Sequence, residues 1–154
     1  MPDSIVKETI QEIEALSVSD TVGEATRRVL EAHVPGLPVV RSNGKFAGIF
    51  GEREFMGALF PGYMKELSSS AMIKRSIDDH IERRESCFAE TIEAHLTTDH
   101  VLVEDDYSDS QLAELFLHHR VLVIPIATQG KVHALVTRSD FFRALGKRWL
   151  RAAS

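Results

Sequence analysis

The chain alternates between two hydrophobic periods. Ile5, Thr9, Ile10, Ile13 and Leu16 recur at helical spacing and predict a short opening helix. The chain then extends into a strand around 15–18, and Ser19, Asp20 and Thr21 supply capping oxygens for a helix over about 22–33, with Val22, Ala25, Val29 and Ala32 on one stripe. Pro35-Gly36 closes it. The apolar run Leu37-Pro38-Val39-Val40, the turn Ser42-Asn43-Gly44-Lys45 and the run Phe46-Ala47-Gly48-Ile49-Phe50 predict a hairpin. A helix over 52–59 follows, stopped by Pro61-Gly62.

The same succession returns downstream: a strand over 100–103, a Ser108-Asp109-Ser110 cap, a helix over 111–119, and strands over 121–126 and 132–136 made almost wholly of Val, Ile and Leu. Phe141, Phe142 and Leu145 belong to a closing helix, and Trp149 and Leu150 are expected to dock its tail. Pro38 and Pro125 lie 87 positions apart. Gly44/Gly130, Lys45/Lys131, Phe55/Phe141, Ala58/Ala144 and Leu59/Leu145 all lie 86 apart. The copies therefore differ by one residue in the hairpin. A duplicated unit of this size cannot bury its own sheet face, so each copy must pack on its twin. The sequence divides into a first repeat over 1–60 that includes the N-terminal helix, a segment over 61–90, and a second repeat over 91–154. In the middle segment Ser68-Ser69-Ser70 predicts a loop, and Ser76 followed by Asp78 and Asp79 predicts a helix running to about Phe88.

Composition narrows the class. With 154 residues, 44% apolar content and 27% charge, the chain is an ordinary globular one. A net charge of −5 offers no long-range attraction to nucleic acid or to anionic membrane. One cysteine, Cys87, precludes an intrachain disulfide and fits a reducing compartment. Acids interrupt the apolar period of the N-terminus, unlike a signal peptide, and no run reaches the length of a membrane span. These features predict a cytoplasmic location.

The sharpest chemical signal is Thr137-Arg138-Ser139-Asp140, where a buried strand passes into a helix. A hydroxyl and a carboxylate three residues apart form a capping box, and the same pair can also hold a ligand. Arg138, and Arg53 in the first copy, sit within the polar steps, where they either meet phosphate oxygens or lie on a solvated face. His95, His100, His118, His119, His80 and Cys87 form none of the diagnostic metal-binding spacings, so no metal site is expected. No Walker loop, G-x-S-x-G or dinucleotide fingerprint is present, and no catalytic residue is expected.

Two units of strand, helix, strand, strand, helix, each with a proline-entered strand and the second ending in Thr-x-x-Asp, resemble the tandem CBS domain pair (cystathionine beta-synthase type, or Bateman module) over residues 15–59 and 97–146. The resemblance implies an α/β (α+β) fold, a pseudo-twofold module with two clefts between the units. In relatives such clefts bind adenosine-containing ligands. The resemblance gives Asp140 the ribose hydroxyls, with Thr137 and Ser139 beside it. Val34, Pro35 and Gly36 become an adenine wall, Thr9 a hydroxyl near ribose or phosphate, and Leu135 an apolar face. For Val34 and Leu135, core packing explains the pattern equally well. The second cleft would be walled by Val121, Leu122, Val123, Ile49 and Thr91, with Arg53 and Glu54. There Gly51 stands at the place of Thr137 and Glu54 at that of Asp140, so one good site is expected.

The function so implied is a regulatory module that senses an adenosine-type small molecule and is not an enzyme. It needs no cofactor, and AMP, ADP, ATP or S-adenosylmethionine are its compatible ligands. The resemblance also implies a homodimer, with helix stripes ending in Phe55, Leu59, Phe141 and Leu145 as its contact or else as internal packing. A partner-binding protein with unfilled clefts is the alternative, its partner unidentified.

Overall fold

The structure is a computed structural model that describes residues 4–60, 75–98 and 101–154. Pro61-Gly62, Ser68-Ser69-Ser70 and His100 lie outside these residues. In the first unit, β2 (Leu16–Ser17) runs parallel to β3 (Gly36–Val40), which pairs antiparallel with β4 (Phe46–Gly51). In the second, β5 (Val103–Glu104) runs parallel to β6 (Val123–Thr128), which pairs antiparallel with β7 (Lys131–Thr137). Each parallel pair is joined across a helix, α2 (Val22–Ala32) in one unit and α5 (Asp109–His118) in the other. Each hairpin feeds a further helix, α3 (Glu52–Leu59) or α6 (Arg138–Ala153). Both crossover helices start on hydroxyl caps. Thr21 Oγ1 accepts from Glu24 N at 3.1 Å, and Ser108 Oγ accepts from Gln111 N at 3.1 Å.

The opening segment departs from the expected helix. Only Ile5–Thr9 is helical (α1), and Gln11–Glu12 form a strand, β1. This strand does not join the first sheet: it adds to the edge of β7, with Gln11 opposite Leu135 and Glu12 opposite Ala134. Its counterpart before the second unit makes the reciprocal contact, an isolated bridge between Thr97 and Ile49. Both pairings lie 86 positions apart, so the copies exchange their leading segments. Residues 5–12 thus precede the first unit in sequence and pack on the second, where Ile5 and Val6 join the core of Val103, Leu112, Ile124, Ile126, Ala134, Val136 and Phe141.

The other core is also shared. Leu16, Val22, Ala25, Val29, Leu37, Val39 and Phe50 of the first unit enclose Val123 and Leu135 of the second. The repeats therefore complete one another's apolar interior, and neither half has a core of its own sequence alone.

Between the units, α4 (Ile77–Arg83) starts on Ser76 and ends before Cys87, shorter than the sequence period predicts. Residues 85–89 and 92–95 form two 3₁₀ turns. Cys87 and Ile92 of these turns seal the first core. Trp149 and Leu150 do not dock: α6 continues through them as one helix and leaves both exposed. Phe141 is buried in the second core against Phe116, with ring centroids 5.5 Å apart, so its stripe position serves internal packing.

α1 is tied down by one side chain from across the fold. The Asp109 carboxylate accepts from Ser4 Oγ at 2.6 Å, Ile5 N at 2.8 Å and Val6 N at 3.1 Å, capping the orphan donors of α1. Burial alone would raise its pKa; those hydrogen bonds and the Arg148 charge outweigh it and hold the carboxyl below its ordinary value. A depressed pKa contributes stability that is present above the unfolded value and is lost as pH falls through the folded one. Asp109→Ala should therefore cost about 1–2 kcal/mol in urea denaturation at neutral pH. The difference from wild type should shrink as the pH is lowered below the carboxylate range.

Candidate functional site

Both helices that follow the hairpins open at the junction between the units, and the junction is built from equivalent parts. Arg138 N donates to Leu122 O and Glu52 N donates to Pro35 O, each at 2.9 Å. Each contact binds the first turn of a helix to the chain leading into its own sheet. Just beyond it a carboxylate faces the exchanged leading segment of the other copy. Asp140 Oδ2 accepts from Gln11 Nε2 at 2.8 Å, and Glu54 Oε2 accepts from Thr97 Oγ1. Gln11 and Thr97 are again 86 apart. The twofold creates this pairing of a carboxylate with a leading segment, and neither Gln11 nor Thr97 could be singled out without the strand exchange.

Around Asp140 lies a recess of about 410 Å³, lined by Val34, Pro35, Thr137, Ser139, His33 and Arg143, with Glu52 at its edge. Thr137 is buried and its Oγ1 accepts from Asp140 N at 3.1 Å, so it caps α6 while it lines the recess. Asp140 is half-buried, and its second oxygen faces Arg143 Nη1 at 3.2 Å. Arg143, one helical turn beyond Asp140, is the cation that the recess presents; Arg138, although inside the polar step, is exposed and does not line it. The signal for Arg143 was its i,i+3 spacing from Asp140. His33 ends α2 in the left-handed conformation, φ 56°, and this brings Val34 and Pro35 to the recess wall.

Besides Arg138, three residues expected here stand elsewhere. Thr9 is buried and its hydroxyl donates to the carbonyls of Ile5 and Val6 at 3.1 Å, an internal helix contact. Leu135, beside Gln11 in the sheet, is fully buried in the shared core and does not line the recess. Gly36 lines the other cleft.

That other cleft has a volume of about 130 Å³ and is lined by Ile49, Arg53, Glu54, Val121, Leu122 and Val123, together with Thr97, Arg120 and Glu52. Thr91 is not part of it: it is exposed and bridges Thr21 at the start of α2. Thr97, the counterpart of Gln11, takes the place expected for Thr91. Gly51 explains why this cleft cannot copy the first. A side chain there would collide with the Pro35 carbonyl oxygen and with Gly36 Cα, backbone atoms at the entry to the facing strand. The missing hydroxyl is thus a requirement of close strand approach.

The volumes separate the clefts. Small-molecule sites usually span about 300–1,000 Å³. The Asp140 recess falls in that range and its counterpart against Val121–Val123 below it, although Arg53, Glu54 and Thr97 also line a separate recess of about 680 Å³ beside α3.

Residues 6–61 match the CBS domain family. Among curated proteins none matches the chain. Solved structures share the fold across nearly the whole chain. The CBS domain of a CBS domain-containing membrane protein from Sphaerobacter thermophilus is 23% identical, covering 87% of this chain and 82% of its own, with a TM-score of 0.67. A putative acetoin utilization protein from Vibrio cholerae is 18% identical and covers 100% and 98%, with a TM-score of 0.68. CBSX2, solved in complex with AMP, is 19% identical and covers 94% and 98%, with a TM-score of 0.64. Among the described residues, no helix is long and apolar enough to cross a membrane.

Proposed function

Because residues 6–61 match the CBS domain family and the whole chain has the fold of solved CBS-domain structures, we propose that it is a regulatory module that binds an adenosine-containing nucleotide in the recess at Asp140. The observation that carries this reading is the Asp140 carboxylate at the helix start, inside a recess of about 410 Å³ walled on the opposite unit by Val34 and Pro35. The AMP complex of CBSX2 supports the ligand class. A vicinal diol offers two donors to one carboxylate, and apolar walls accept a base. The diol must displace Gln11 from Oδ2. Binding therefore reaches β1 and α1, and any signal begins with a shift between arrangements that hold or release the leading segment.

Glu52 and Asp140 outnumber Arg143 in the recess, which favours ligands with few phosphates, AMP or the cationic S-adenosylmethionine, over ATP. The protein works without catalysis, in the cytoplasm, as a homodimer. The exposed Phe142, Leu145, Trp149 and Leu150 on α6 support self-association, and light scattering after gel filtration reads it.

Isothermal titration of the full chain with AMP, ADP, ATP and S-adenosylmethionine tests the reading. At 100 times Kd a bound ligand adds about 2.7 kcal/mol, a melting shift of roughly 5–11 °C at this size. Asp140→Ala should weaken binding at least tenfold while leaving the far-ultraviolet spectrum intact. If none of the four binds, or if Asp140→Ala binds as wild type does, the Asp140 site is refuted and a partner-binding role with unfilled clefts stands in its place.

A further inference from the structure

Outside the clefts, the two 3₁₀ turns bring a thiol, a carboxylate and an imidazole together. One ligand atom each from Cys87, Glu90 and His95 lies within 4.8 Å of the other two. Their backbone is held from both sides. Glu90 N donates to Cys87 O at 3.0 Å and closes the first turn; Val22 N donates to Glu90 O at 2.8 Å; Ile92 N donates to Asp20 O at 2.9 Å. Both turns are thereby tied to the N-terminal end of α2. His95 Nε2 already stands 2.9 Å from Glu90 Oε1, while Arg84 approaches the other oxygen, Oε2, at 3.6 Å and spends its Nε on the Ala58 carbonyl. One carboxylate oxygen is thus turned toward the imidazole, and the Cys87 thiol, which donates to the Ala58 carbonyl at 3.9 Å, lies within 4.8 Å of that pair.

We propose that Cys87, Glu90 and His95 form a Zn²⁺ site with a fourth position open to water. In a tetrahedral zinc site with bonds of about 2.0–2.3 Å, ligand atoms sit roughly 3.3–3.8 Å apart, so the widest separation needs to close by about an ångström while His95 and Glu90, at 2.9 Å, part slightly. The donor set selects the metal: a thiolate and an imidazole suit zinc, whereas calcium and magnesium take oxygen. Thiolate and carboxylate together neutralise the dication, which matters because Cys87 is buried. On binding, the thiol proton is released to solvent and a sulfur–zinc bond replaces the S–H bond, with no change of oxidation state.

The sequence spacing C-x₂-E-x₄-H has no diagnostic form; the three residues meet across the two 3₁₀ turns, between which Thr91 bridges Thr21. Two residues beyond His95, Thr97 holds Glu54. A metal would therefore pin the leading segment of the second unit, the counterpart of the segment that Gln11 carries into the Asp140 recess.

The full chain, reduced and stripped of metal, should be titrated with Co²⁺. Cys87 is the sole cysteine, so a thiolate-to-cobalt charge-transfer band can report one place only. The band should saturate at one equivalent, vanish on addition of Zn²⁺, and need at least tenfold more metal in His95→Gln and in Glu90→Gln. Far-ultraviolet spectra keep the folding of the two variants in view, and His95→Gln retains a polar group toward Glu90. No band at one equivalent, or a band whose titration neither substitution shifts, overturns the site. Nucleotide is absent throughout, so the outcome is independent of the Asp140 reading.

Discussion

Gly51→Thr, which writes the hydroxyl of the second unit into the first, should destabilise the protein by about 3 kcal/mol and lower its melting temperature by roughly 6–12 °C without creating a second nucleotide site. On comparison of the repeats alone, the substitution would look like a repair. The structure reverses that expectation. A Cβ at Gly51 meets the Pro35 carbonyl oxygen and Gly36 Cα, closer than real Cβ atoms come, and neither neighbour can rotate away as a side chain would. The strain falls on the Gly36–Gly51 pairing and on the bond from Glu52 N to Pro35 O that starts α3. Urea denaturation and calorimetry of the two proteins measure the cost. An unchanged midpoint would mean that β3 and β4 separate readily here, and the close approach would then not explain the small cleft.

Leu135→Ala should cost about 2–5 kcal/mol, the range for large-to-small changes in a packed core. Leu135 stands on the second unit's hairpin, opposite Pro125 and Gln11, yet its side chain lies in the cluster built on Leu16, Val29, Leu37 and Phe50. A cavity there opens the junction between the copies instead of the interior of one. The leading segment should loosen with it. Amide exchange at Gln11 and Glu12 is expected to speed up more than at Val132, at the far end of β7. Leu135→Met, which keeps most of the volume, should recover all but about 1.5 kcal/mol. A loss below 1 kcal/mol for the alanine variant would contradict the shared core.

The duplication carried most of the fold in plain view. Apolar periods place α2, α3, α5 and the two hairpins, because each period reports a face that must be buried, and a capping serine with two early acids places the Ser76 start of α4. The Thr137–Asp140 step was visible because a hydroxyl cap and a carboxylate at that spacing share a helical turn. What could not be read was anything set by contacts between copies. Ile10, Ile13 and Leu16 continue the helical period of Ile5, but pairing with the exposed edge of β7 stops the helix at Thr9 and extends Gln11–Glu12. That single change of conformation sends the Thr9 hydroxyl back to its own helix and brings Gln11 to Asp140. Arg143 displaces Arg138 as the recess cation for a similar reason: the direction of a side chain on a first turn depends on how the helix leaves the sheet.

By itself the sequence determined the repeat unit, its order of strands and helices, and the unequal chemistry of Thr137 and Asp140 against Gly51 and Glu54. These follow from local burial patterns and capping, which act over a few residues. Tertiary structure alone decided that the copies exchange their leading segments, that Leu135 and Val123 complete the neighbouring core, and that the recess at Asp140 is about 410 Å³ while its twin is about 130 Å³. It also decided that Cys87, Glu90 and His95 meet. The physical reason is common to all four: each depends on where two distant segments close-pack, and the space left between them is set by backbone approach and side-chain volume on both sides at once.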